Sequence, residues 1–151
     1  ARPGDAVCVP ESPAGVCFLD LSNNPLPYMP KHSGNVTLQY TAPLGDDVGE
    51  LGLSASFFTQ SRVYYVAAAA RDLQLYPGGL DAISQAAYST INLRAELRDV
   101  AGSGWNGAVF VNNLTDKLYA TGKVAQLHTL GFAAANYAPP RMFGLQVWKK
   151  F

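Results

Sequence analysis

The sequence predicts an all-β fold of antiparallel strands, and three observations support this prediction. Five segments alternate apolar with polar side chains, which is the period of a strand that is buried on one side. The connections between these segments alternate between long and short. The chain also ends on a strand pattern, "PRMFGLQVWKKF", that closes with an aromatic residue. The apolar run at 67–70 is too short to predict a helix.

The five predicted strands differ in how clearly they alternate. The clearest spans residues 88–99, and the others are predicted at residues 33–42, 50–60, 105–113 and 140–151. In the clearest strand, one face carries Ile91, Leu93, Ala95 and Leu97, and the other carries Asn92, Arg94, Glu96 and Arg98.

The lengths of the connections restrict which all-β folds are possible. The short ones, "PLGDDVG" and "VAGSG", are rich in turn residues, whereas residues 1–32, 61–87 and 114–140 form long connections. In an antiparallel sheet this rhythm places the long loops at one end and the short turns, with the C-terminus, at the other. Outer-membrane barrels have short periplasmic turns, longer extracellular loops and strands of about 9–11 residues. We therefore predict a segment of an antiparallel transmembrane β-barrel.

Composition excludes several classes of protein. The formal net charge is zero, so no electrostatic attraction to nucleic acid is expected. Charged residues make up 15% of the chain, against about 25% in a typical soluble domain. The chain contains no run of about 18 apolar residues, so no transmembrane helix is predicted. The chain starts at Ala1 without a signal peptide, and we expect it to be a piece of a longer protein.

Cys8 and Cys17 lie close together in a stretch rich in proline and glycine. This pattern favours a small disulfide-closed loop in an oxidising compartment, and two free thiols are the alternative. A metal site is not expected, because His32 is the only nearby histidine and the spacing fits no common zinc pattern.

Two groups of side chains are candidates for contacts inside or around a barrel. Arg94, Glu96 and Arg98 share one face of their strand. They could form a network that faces the lumen of a barrel beside a plug, or they could lie on a face that is exposed to solvent. Tyr64, Tyr65 and Tyr76 lie in or beside the second long loop. They could contact a ligand, or Tyr64 and Tyr65 could belong to the aromatic belt at the membrane interface.

The remaining polar clusters predict structure more than chemistry. Asn112, Asn113, Thr115 and Asp116 could bind a ligand, but such residues more often end a strand and order a turn through hydrogen bonds to the backbone. His32 and His128 are the only histidines, and neither lies in a recognisable acid–base or metal spacing. We therefore predict no enzymatic activity and no cofactor.

Several sequence elements, in order, carry a family resemblance. "FVNNLTDKLYATG" at 110–122, "GF" at 131–132, "APPRMFGLQV" at 138–147 and the terminal Phe151 resemble the C-terminal end of TonB-dependent outer-membrane receptors. Upstream, "DLSNNPLPYMPKHSGNVTLQYT" at 20–41 resembles the approach to an earlier barrel strand of that family. The resemblance covers most of residues 20–151. In one departure, Lys149 stands where the family often has an aromatic residue, and Trp148 lies one position earlier.

The resemblance implies a place within a larger protein. Members of the family are barrels of about 22 strands plugged by an N-terminal domain. Residues 1–151 would then be a C-terminal fragment of the barrel, without the plug and the earlier strands. Phe151 would serve as a signal to the outer-membrane barrel assembly machinery. The location would be the outer membrane of a Gram-negative bacterium, with several strands crossing the lipid.

The resemblance also implies a function. The full receptor would take up a scarce nutrient, such as a ferric siderophore or another iron-chelate, and TonB would energise it through the missing N-terminal part. Partners would be outer-membrane lipid, the remaining strands and the plug. The alternatives are a passive porin-type barrel and a soluble β-sandwich that binds a ligand.

Overall fold

The five predicted strands form one antiparallel sheet in the structure. The structure, a computed structural model, describes residues 6–8, 17–19, 25–66, 79–126 and 130–150. Numbered along the chain, the strands of this sheet are β3 (Ser33–Pro43), β4 (Glu50–Gln60), β7 (Tyr88–Arg98), β8 (Trp105–Asn112) and β11 (Met142–Lys149). Their order across the sheet is β11-β8-β7-β4-β3.

The long connections contain short elements that the sequence did not predict. These are β1 (Ala6–Cys8), β2 (Cys17–Leu19), β5 (Val63–Tyr64), α1 (Gly79–Ile83), β6 (Ser84–Gln85), β9 (Ala120–Gln126) and β10 (Phe132–Tyr137). β1 pairs with β2, β5 with β6, and β9 with β10. β1, β2, β5 and β6 have only two or three residues, too few to show a period, and β9 and β10 do not alternate strictly between apolar and polar residues.

The register of the sheet separates its side chains by polarity. Leu38, Ala55, Leu93, Val111 and Phe143 are directly opposite one another in successive strands. Because side chains alternate along a strand, this row and its alternate neighbours form one face. We call it the apolar face; it includes Val36, Leu38, Tyr40, Leu53, Phe57, Ile91, Leu93, Leu97, Val109, Phe143, Leu145 and Val147.

The opposite side of the sheet is the polar face. It includes Asn35, Thr37, Gln39, Glu50, Ser54, Ser56, Asn92, Arg94, Glu96, Arg98, Asn106, Asn112, Gln146 and Trp148. The predicted alternation in residues 88–99 is therefore confirmed, and it extends to the neighbouring strands.

The chain end lies at the short-turn end of the sheet, as predicted. Lys149 is opposite Trp105 in the register, and the backbone N–H of Lys150 donates to the carbonyl oxygen of Gly104 at 2.9 Å. Gly104 has a φ of +75°, and a Cβ there would lie 2.5 Å from the carbonyl oxygen of Lys150. Glycine at 104 thus permits the close approach of the last strand.

The chain divides into two compact units. The sheet unit comprises His32–Ser61, Ala87–Tyr119 and the chain from Tyr137 onwards. The loop unit comprises the described parts of Ala1–Lys31, Arg62–Ala86 and Ala120–Asn136. No described helix has the length and apolar character needed to cross a membrane.

Buried side chains hold the loop unit together. Ile83 and Ser84 are fully buried, and Val63 and Ala120 are almost so. The amide of Ala120 donates to the Gln85 side-chain oxygen at 2.7 Å. The long connections therefore contribute to a shared core and are not independent loops.

Candidate functional site: the two faces of the sheet

Four charged side chains meet on the polar face, and we call them the charge quartet: Glu50, Arg94, Glu96 and Arg98. The Nε atom of Arg94 donates to one Glu96 oxygen at 3.1 Å, and Arg98 donates to the other. Arg98 also donates to Glu50 Oε1 at 3.0 Å. Two positive and two negative charges thus neutralise each other on the polar face.

Arg94 connects the quartet to the last strand. Its Nη1 atom donates to Gln146 Oε1 at 2.8 Å, and its guanidinium carbon lies 5.9 Å from the centre of the Trp148 ring. Trp148 therefore belongs to the polar face, and the outward alternation of Phe143, Leu145 and Val147 is undisturbed.

The apolar face is exposed. Phe143 exposes 82% of its surface, Leu145 70% and Leu38 69%. A contiguous apolar surface of this kind marks an interaction with lipid or protein, because leaving it in water is unfavourable.

The structure brings the predicted charged cluster together. Arg94, Glu96 and Arg98 lie in a row on β7 and bind one another. Leu93, Ala95 and Leu97 point to the opposite face, as the pattern predicted.

Asn113 orders the turn that follows β8, as the sequence predicted for this polar stretch. Its side chain accepts from the Lys117 N–H at 2.9 Å and donates to the carbonyl oxygens of Lys117 and Pro139, at 3.0 and 3.4 Å. Asn113 is buried and has a φ of +53°, a conformation that asparagine tolerates well. Asp116 accepts from the Arg141 N–H at 2.8 Å. We call these five residues the neck of the long β8–β11 connection.

The loop tyrosines differ in their surroundings. Tyr65 is buried, its hydroxyl donates to the Ala120 carbonyl at 2.7 Å, and its ring lies edge-on to Tyr28. Burial, followed by the neighbouring Tyr28 phenol, raises the pKa of the Tyr65 hydroxyl. Tyr64 is half-buried, and Tyr76 lies outside the described residues. Ligand contact at these positions stays a prediction, and Tyr65 presents little surface for it.

Two further predictions concern the ends of the chain. The backbones of Cys8 and Cys17 are directly opposite each other in the β1–β2 pair. This register is compatible with the predicted disulfide. Phe151 lies outside the described residues, so its role as an assembly signal stays a prediction.

Sequence reasoning missed the cross-strand partners of the predicted cluster. Glu50, Gln146 and Trp148 join Arg94 and Arg98 only because the register aligns β4, β7, β8 and β11. Period-two alternation could have assigned all three residues to the polar face, but it could not have aligned the strands. Within the described part of the chain, no group of three or more side chains could hold a metal ion.

Comparison with known proteins gives a result only at the level of structure. No protein-family model matches the sequence, and no curated protein matches it. The ferric yersiniabactin uptake receptor FyuA from Yersinia pestis is similar over 84% of this chain, with a TM-score of 0.65 and 16% identity. BauA, the ferric preacinetobactin receptor from Acinetobacter baumannii, is similar over 84% of this chain, with a TM-score of 0.52 and 18% identity.

The chain corresponds to only part of these receptors. It spans 17% of the FyuA chain and 16% of the BauA chain. The described five-stranded sheet is antiparallel and open, with β3 and β11 at its edges. The chain therefore shares its fold with a segment of each of these two receptors.

Proposed function

We propose that this chain is part of the barrel wall of an outer-membrane receptor that imports a ferric siderophore or a similar iron-chelate, with energy supplied through TonB. The observation that carries the proposal is the two-faced sheet, in a fold shared with two ferric-siderophore receptors. In this proposal the chain supplies wall, loops and the closing strand, and it performs no enzymatic chemistry.

Strand length supports a membrane crossing. β3, β4 and β7 each have 11 residues. At about 3.4 Å per residue, such a strand extends about 37 Å. A tilt of about 45° reduces the thickness it crosses to about 26 Å, close to the apolar band of about 25 Å in outer-membrane barrels.

The polarity of the two faces supports one orientation of the sheet in the membrane. The apolar face would meet lipid, and the charge quartet would point into a hydrated or plugged lumen. A charge at the lipid face near mid-membrane costs about 2–4 kcal/mol, whereas charges in the lumen are tolerated. The short turns would then lie in the periplasm and the long loops outside the cell.

The unpaired edges of the sheet indicate that further strands are needed. β3 and β11 each have a partner on only one side within the described sheet. In lipid, each unpaired backbone N–H or C=O group costs several kcal/mol. We infer that strands from the rest of the barrel pair with both edges, and that a plug domain of the same protein occupies the lumen.

The experiment uses the full-length protein in its Gram-negative host under iron limitation. We expect deletion of the gene to abolish growth on one ferric-siderophore among a panel, and loss of TonB to have the same effect. Growth on that chelate without TonB would point to a passive porin-type barrel. A protein that stays soluble and monomeric without detergent would contradict the membrane location and favour a β-sandwich.

A further inference from the structure

The register of β11 on β8 is not set by a tight turn between them. In a tight hairpin, the turn type fixes which residues pair. Residues 113–141 separate β8 from β11, a connection far too long for that role. Something other than turn geometry must therefore select the pairing.

Hydrophobic alternation excludes a slip of one residue between β8 and β11, but it does not exclude a slip of two. A slip of one residue would turn Phe143, Leu145 and Val147 to the polar face, so the pattern opposes it. A slip of two residues would leave all three side chains on the apolar face. The alternation cannot distinguish the native register from such a slip.

Phe110 and Gly144 form a contact that does distinguish these registers. They are directly opposite each other on the polar face. A Cβ at position 144 would lie 2.7 Å from Cζ and 3.0 Å from Cε1 of the Phe110 ring. The tip of the ring therefore occupies the space that a Cβ would need, so any residue other than glycine would require the ring to move.

A slip of two residues would disrupt this contact. Phe110 would then be opposite Met142 or Gln146, whose side chains would displace its ring. The ring could rotate away, but it would lose its packing against the last strand. Cross-strand side-chain packing contributes enough to change a population by up to about fivefold.

A second contact on the same face depends on the same register. Arg94 reaches across β8 from β7 and donates to Gln146 Oε1 at 2.8 Å. After a slip of two residues, Gly144 or Trp148 would take the place of Gln146. Neither could accept this hydrogen bond from a side-chain oxygen.

We propose that Phe110 and Gly144 are positioning residues that select the register of the closing strand, with the Arg94–Gln146 hydrogen bond in support. The neck and the Gly104–Lys150 hydrogen bond hold the two ends of β11, and the Phe110–Gly144 contact fixes a position between them. Only the biological consequence of this register, correct closure of a barrel, rests on the proposed function. The register itself can be measured separately from transport.

Cysteine pairs in the full-length protein report the register in intact cells. Val109→Cys with Leu145→Cys marks the native pairing, because these residues are directly opposite each other. Val109→Cys with Phe143→Cys, or with Val147→Cys, marks a slip of two residues. After mild oxidation with copper phenanthroline, peptide mass spectrometry identifies the linked pair, so the native cysteines can remain.

Gly144→Ala is the test variant and Gly107→Ala is its matched control. A Cβ at position 107 would meet only the Gln146 carbonyl oxygen at 3.9 Å, an ordinary contact. We expect Gly144→Ala to raise the ratio of slipped to native links by about twofold to fivefold. Gly107→Ala should leave that ratio unchanged.

A double variant keeps the proposal testable if Gly144→Ala fails to assemble. Phe110→Ala removes the ring with which the new methyl group competes, so Phe110→Ala with Gly144→Ala should recover more folded barrel than Gly144→Ala alone. A wild-type link ratio in Gly144→Ala would overturn the proposal. So would a double variant that is no better than Gly144→Ala. Absence of iron-chelate uptake by the wild-type protein, with its native link intact, would count against the proposed function and not against the role of Phe110 and Gly144 in the register.

Discussion

Glu96 is the residue on which the charge quartet depends. Its carboxylate binds Arg94 and Arg98, and its side chain is only 13% exposed. Glu50 binds Arg98 alone, and its side chain is 43% exposed. Exposed ion pairs contribute little to stability, whereas Glu96 is shielded and binds two arginines. The two carboxylates should therefore differ in importance.

We predict that Glu96→Gln lowers the free energy of unfolding of the full-length barrel by about 1–2 kcal/mol, because two arginines lose a shared charge. Glu50→Gln is the matched control and should change it by less than about 0.5 kcal/mol. Urea unfolding in lipid vesicles, followed by tryptophan fluorescence, measures both. Equal effects would show that the quartet behaves as a fully hydrated surface.

At the scale of a strand, the orientation of β3 can be tested by adding one charge to either face. Leu38 lies on the apolar face near the middle of β3, and Gln39 follows it on the polar face. We predict that Leu38→Arg costs about 2–4 kcal/mol near mid-membrane, and that Gln39→Arg costs much less. The same unfolding assay provides the comparison. Similar costs at both positions would contradict the assignment of lipid and lumen.

The β1–β2 pair allows a test of the predicted disulfide. Cys8 and Cys17 are directly opposite each other in register. A short loop closed by a disulfide gains about 2–3 kcal/mol in the chain-entropy model. We predict that non-reducing mass spectrometry of the exported protein finds the Cys8–Cys17 pair oxidised. Alkylation of both thiols without reduction would show that the pair is free.

For the whole molecule, Phe151 can be tested as an assembly signal. Burying one phenylalanine ring contributes only about 1.5–3 kcal/mol, which is small beside the stability of a complete barrel. If the assembly machinery reads this residue, its deletion should reduce insertion into the outer membrane strongly. The melting temperature of the inserted fraction should change little. Normal insertion with a lowered melting temperature would mean that Phe151 serves only in packing.

How far the sequence predicts the fold depends on the range of the interactions. Period-two alternation located all five strands of the sheet and separated Leu93 from Arg94, because side-chain direction is a local property of a strand. The polar stretch at Asn113 was correctly predicted to order a turn for the same reason, since its hydrogen bonds to Lys117 are local.

The remaining contacts join residues that are remote in sequence, and the sequence alone does not show which of these residues meet. The pairing of Arg98 with Glu50 and the fit of Phe110 against Gly144 depend on register, which alternation does not fix. The core around Ile83 and Ala120 joins segments of two long connections. Short elements without a period gave no signal that these connections fold together.

In the proposed orientation, the apolar face of the sheet meets lipid while the polar face lines a hydrated lumen. Nitroxide labels placed singly at residues 53–56 of β4 in the reconstituted full-length protein test it most directly. Leu53 and Ala55 lie on the apolar face, and Ser54 and Ser56 lie on the polar face. We predict that oxygen, which concentrates in lipid, relaxes labels at 53 and 55 more strongly, and that a water-soluble nickel chelate does so at 54 and 56. Equal access of the nickel chelate to all four labels would contradict the account.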